Sequence, residues 1–260
     1  MRYPDVLPNK PLIEAVLELG WQQGAENADH SYAVLLGKFA ERVRRGYPYL
    51  EPLPGAMIPA SALPPGVVSL VQHRFRKSQD GWPVVQIGPG IATLNDTTAY
   101  VWSDFRKRAL GLVRDLYAAN PGNDPLGLRA LTLRYFNGVP FDPESEDLVK
   151  FLAQYLQTEI RLPKALLDQA VGHQRPDGLN LQLGFGIQKP HGVLSFRIAT
   201  GMHNGVKHLI WETSVSTQQQ MLPTMPARFP QWLSAAHAVS EAVFFGLVEG
   251  ELLERFSHAN

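Results

Sequence analysis

Two glutamates four residues apart, Glu14 and Glu18 in PLIEAVLELGW, are the first side chains with the types and spacing for chemistry. On a helix they would stack as a carboxylate pair suited to a metal or to acid/base work; on a strand they would share one face. The odd positions carry Ile13, Ala15, Leu17, Leu19 and Trp21, an alternation that favours a strand with one clean apolar face. A short helix closed by Gly20 is the alternative. For the strand, the natural counter-charge is Arg134 in LRALTLRYF. Glu14, Glu18, Arg134 and Trp211 thus form a candidate cluster: an ordinary cross-strand ion pair, or the lining of a small-molecule pocket between two halves of the protein.

Three further sets of residues invite a chemical reading. His203 and His208 flank the Asn204-Gly205 turn and His191 sits at the preceding turn, a weak metal set without any recognised ligand spacing. His237 and Glu241 lie four apart on the last helix, either an ordinary one-turn pair or a core histidine with one satisfied nitrogen. Arg42, Arg74, Arg76, Arg106, Lys107 and Arg108 would contact nucleic acid if they converged, with Phe75 or Trp82 available to stack; as solvated faces they would do nothing. IGPGIA and LGFGIQ contain G-x-G but run into no helix, so GPG reads as a bulge or bend in a long strand. Ser195 has no nucleophile-elbow context. No cofactor and no catalytic residue is indicated.

Composition narrows the classes. Lys plus Arg and Asp plus Glu are 24 each, so no global charge draws the chain to nucleic acid or membrane. There is no cysteine, which removes thiolate chemistry, disulfides and cysteine-bound metals. Without a signal-peptide core, a lipidation motif or a membrane-length apolar run, the expectation is a cytoplasmic protein with no membrane partner.

The elements that must position these residues read as β-α-β-β-α-β, then a helix, three antiparallel strands and a terminal helix. Hairpin-linked strands make this α+β, with mainly antiparallel sheet, helices on one face and two ferredoxin-like-sized halves. Residues 1–142 form the first half, with a proline-rich connector over 47–66. Residues 143–260 form the second, with a meander over 179–217 and a long helix that breaks near Gly250; the two together could be one compact unit.

PLIEAVLELGW, LRALTLRYFNGVPF and the terminal WLSAAHAVSEAVFFGLV resemble the corresponding stretches of a family of sporadically distributed, uncharacterised prokaryotic proteins of about this length. The resemblance spans the chain and implies kinship, with no catalytic residue to carry over. Three functional expectations follow. The first is a non-catalytic binding or assembly protein, docking a protein partner or a second copy through the connector and the apolar helix with Val243, Phe244, Phe245, Leu247 and Val248. The second is nucleic-acid binding or metal-free RNA processing, by analogy with RNA-processing endonucleases built from duplicated ferredoxin-like halves. The third is a small-molecule pocket between the halves.

Overall fold

The alternation at the start of the chain becomes strand β1, Leu12–Trp21, whose odd residues from Ala15 onward are buried while the even ones are half-buried. The computed structural model describes residues 7–22, 28–53, 70–97, 99–120, 126–163 and 178–258, with 165 and 176. After β1 come α1 (Ala28–Val43), β2 (Tyr49–Pro52), β3 (His73–Arg76), β4 (Val84–Gly88), β5 (Ile91–Asp96), α2 (Trp102–Ala119) and β6 (Leu128–Pro140). Then follow α3 (Leu148–Tyr155), β7 (Asn180–Gln188), β8 (His191–His203), β9 (Val206–Gln218), α4 (Phe229–Val248) and α5 (Glu251–Ser257). The fold is α+β with one large antiparallel sheet.

All nine strands join in the order β2-β3-β4-β5-β1-β6-β9-β8-β7. The sheet runs unbroken across the 142/143 boundary, because β6 pairs with β9 from Ala130–Gln218 to Pro140–His208. The helices cover one face and make two cores on it. The first joins Leu17, Leu94, Leu133 and Val215 to Phe39 of α1, Leu112 of α2 and Leu233 of α4. The second joins Ile198, Leu209 and Trp211 to Leu152 of α3, Val248 of α4 and Leu252 of α5. Helix α4 therefore belongs to both. Burial of these apolar side chains, at roughly 25 cal/mol per Å² removed from water, is what holds the layers together.

Several local expectations need correction. WPVVQIGPGIATLND is not one bent strand but the hairpin β4–β5, with Pro89 and Gly90 as its turn. Gly90 has φ +78°, as the second central residue of a type II turn requires, and proline suits the position before it. Residues Tyr49–Pro52 of the connector form β2 against β3, a strand not foreseen because Pro52 argues against any but an edge position. The remaining connector from 54 to 66 lies outside the described residues. Helix α3 starts at Leu148, where the Asp147 carboxylate accepts from the Val149 and Lys150 amides. Asn204 and Gly205, at φ +50° and +76°, make the expected primed turn between β8 and β9. Gly250, at φ +98°, separates α4 from α5.

Candidate functional site

Leu131, Leu133, Tyr135, Asn137 and Val139 occupy the inward face of β6, and on β9 so do Trp211, Thr213 and Val215. Polar residues therefore interrupt this face at the same level on two paired strands: Tyr135 lies opposite Thr213, with Asn137 two residues on. The interruption is where the first core stops and the second begins. A cavity of about 380 Å³ opens there, between the start of β1, the N-terminus of α2 and the middle of α4. That size is in the range of small-molecule sites. Its walls are mostly apolar, with Leu12, Trp102 and Phe244 among them, and Lys10, His237 and Glu241 also line it.

A chain of hydrogen bonds runs into the cavity. The Tyr100 and Tyr135 hydroxyls are 2.9 Å apart, and the Tyr135 hydroxyl is 3.0 Å from Nδ1 of His237. The imidazole is stacked on Trp102 with ring centroids 3.6 Å apart, which fixes its plane. Burial pushes the His237 pKa down to about 4 and both tyrosines well up, so all three are neutral near pH 7. Two orders suit neutral groups: Tyr100 donating to Tyr135 and Tyr135 to Nδ1, with the His237 proton on Nε2, or Nδ1–H donating to Tyr135 and Tyr135 to Tyr100, with Nε2 left as an acceptor. Nε2 lies 3.9 Å from Glu241 Oε1, beyond hydrogen-bond reach, with the ion pair available only to a protonated ring. The Thr213 hydroxyl, in the cavity floor, has no hydrogen-bond partner among the described residues.

Lys10 lines the cavity together with Glu241. Its Nζ donates to the Tyr100 carbonyl, and burial lowers its pKa while the charge of Asp96 partly restores it. Asp96 is pushed up by its own burial, against the Thr97 amide and the Arg108 charge. One cation and one anion at the rim, Lys10 and Glu241, leave the cavity with no net sign. An imidazole with a pKa of about 4 is a weak base at neutral pH, so the cavity is better built for oriented hydrogen bonding than for proton abstraction.

The cluster expected from sequence divides between the two sides of the sheet. Glu14, Glu18 and Arg134 lie on the face opposite the helices, while Trp211 is fully buried in the second core on the helix side. Arg134 sits opposite Val16, between the levels of the two glutamates, and pairs with Glu212 on β9 instead, Nε to Oε1 at 3.1 Å. The N–H does not point along that vector, so the contact is coulombic rather than a linear hydrogen bond. Glu14 accepts from Asn95 at 2.7 Å. Asn95 Oδ1 accepts from Thr93 and Gln86, Gln86 accepts from Arg74, and Arg74 with Arg76 binds Glu51. Glu14 thus belongs to a polar ladder crossing five strands on the face opposite the helices, from β1 to β2.

The other expected sets do not converge. Arg74 and Arg76 lie on the open face, because Phe75 between them is buried in the first core and so cannot stack on a base. Arg106, Lys107 and Arg108 are on α2, across the sheet, and Arg108 is tied to Asp104 and Tyr47. Arg42 is on α1. His203 and His208 meet edge to face at 5.3 Å, but His191 is at the far end of β8, bonded to Gln188. Among the described residues no group of three His, Asp or Glu side chains could hold a metal, and no helix is long and apolar enough to cross a membrane.

The residues lining this cavity are not those expected of a pocket between the halves, and His237 was expected only as a one-turn pair with Glu241 or a core histidine with one satisfied nitrogen. The usable signal was Asn137 and Thr213: polar residues at inward positions of two strands that pair.

No protein-family model and no curated protein matches the chain. Among solved structures, the di-domain ARO/CYC BexL from the BE-7585A biosynthetic pathway aligns over 95% of this chain and 99% of its own, at 13% identity. Its TM-score of 0.21 carries no argument about fold or activity.

Proposed function

We propose that the protein binds a small, uncharged, largely apolar molecule in the cavity between its two cores, and that the molecule presents a hydroxyl or carbonyl to His237. The observation that carries this reading is the Tyr100–Tyr135–His237 chain ending in a mostly apolar cavity. Ordering three neutral polar groups in a buried seam costs desolvation that a hydrogen-bonding ligand offsets. Balanced charge at the rim favours a neutral ligand over an acid or a base. Docking through α4 loses its main support: Val243, Phe244 and Leu247 are half-buried, Phe245 and Val248 are buried, and the exposed positions are Gln231, Ala238, Ala242 and Gly246. The nucleic-acid reading loses its convergent patch to the two sides of the sheet.

A ferredoxin-like first half is part of the same proposal. The order β4-β5-β1-β6, with α1 and α2 as the connecting helices, supports it. The second half contributes the plain meander β7–β9.

Titration with 2-naphthol, naphthalene and 2-naphthoate tests the pocket, read by quenching of tryptophan emission. Saturable binding is expected for the first two, with the anion excluded. His237→Phe keeps the stack on Trp102 but removes both nitrogens. It should weaken 2-naphthol by about five- to tenfold, one hydrogen bond's worth, and leave naphthalene unchanged. No saturable binding, or equal losses for both probes, would overturn the reading.

A further inference from the structure

We propose that β7 is the pairing edge of a symmetric homodimer, in which two copies join antiparallel about Gly184 and extend the sheet through both molecules. The sheet has two edges and they are built differently. The β2 edge is four residues long, carries Glu51 and ends in Pro52, features that discourage pairing with another chain. The β7 edge, NLQLGFGIQ, is nine residues long with no charge and no proline, and among the described residues nothing pairs with its outer side. Leu183 and Phe185 on it are 44% and 49% exposed.

The sequence of β7 is self-complementary about its centre. With Gly184 opposite the partner's Gly184, antiparallel pairing sets Leu183 beside the partner's Phe185 and Leu181 beside the partner's Ile187. Gln182 falls beside the partner's Gly186, and Asn180 beside the partner's Gln188. Apolar meets apolar on the helix side, and only polar residues and glycines meet one another on the other side, with no like charges across the axis. A two-fold axis normal to the sheet keeps both helix layers on one side.

The glycines support the same assignment independently. A Cβ at Gly184 or Gly186 would meet nothing within 4 Å among the described residues, so packing against them does not call for glycine at either position. Glycine inside a strand weakens it relative to alanine, and close approach of another backbone is a common reason for it.

The absence of cysteine makes the test direct. Opposed residues of an antiparallel pair have Cα atoms about 4.5–5.5 Å apart, within disulfide range. Gly184→Cys should link two copies under mild oxidation. Gly246→Cys, at an exposed and equally open position on α4, serves as control and should react on the order of a hundredfold more slowly. Light scattering should give twice the chain mass of 28.9 kDa for the natural sequence at micromolar concentration. The double change Leu183→Lys and Phe185→Lys should return it to a single chain mass, with an unaltered circular dichroism spectrum. A natural sequence of single mass, a dimer that survives the two lysines, or equal linking at 184 and 246 would each overturn the proposal.

Discussion

His237 concentrates the properties of the cavity in one side chain. Its ring is held by Trp102 on one face and by Tyr135 at Nδ1, and burial is the cause of its low pKa. The unfolded chain binds a proton at this group near pH 6.5, whereas the folded chain does so only near 4. Between those values the unfolded state holds the extra proton, so the contribution is present above about pH 6.5 and is lost as pH falls to about 4. The loss should amount to about 3 kcal/mol. Urea unfolding of the natural sequence and of His237→Asn, compared from pH 7 to 4, should show that much more acid sensitivity in the former; parallel curves would refute the assignment. At this scale the sequence was half legible. The Glu14 and Glu18 spacing and the Arg134 position were visible in the strand pattern. What it could not show was that Glu212, on a strand distant in the chain, claims Arg134 from the other side.

At the scale of elements, the face opposite the helices depends on polar side chains that cross-link strands, several of them buried. Asn95 is the middle of that ladder: it donates to Glu14 and accepts from Gln86 and Thr93, and it is itself buried. Asn95→Ala strands partners that are partly desolvated and should cost about 1–2 kcal/mol in chemical denaturation. Glu212→Gln removes an ion pair whose side chains are 36% and 20% exposed, and should cost less than about 1 kcal/mol. Reversal of that order would mean that charge, not hydrogen bonding, orders this face. Most elements were legible because each carries its own period and punctuation, as in the Asn204-Gly205 turn and Gly250. The GPG hairpin was not, because a G-x-G between apolar runs suits a bend as well as a turn until the partner strand is known. Asn137 and Thr213 were visible one by one as polar residues at inward strand positions, but only the β6–β9 register shows that they lie one pair apart on neighbouring strands.

For the whole molecule, the continuous sheet makes the two halves unequal to independent life. The β6 edge exposed by removing residues 143–260 runs the full length of that strand, and the first core would also lose Leu233 and Ala236 of α4. Fragments 1–142 and 143–260, produced separately, should each lack a cooperative thermal transition, and together should recover the spectrum of the intact chain. A cooperative transition in either fragment alone would show a self-sufficient domain. Fold class and element order were open to sequence reasoning because they follow from local pattern, while the sharing of α4 between cores is a long-range fact. That sharing bears on biogenesis. The first core contains both Ala15 and Ala236, so it closes only when nearly the whole chain has left the ribosome. At about 5–20 residues per second, β1 and α1 wait on the order of ten seconds or longer for the helix that covers them. During translation the N-terminal half therefore carries apolar surface that α4 has not yet covered.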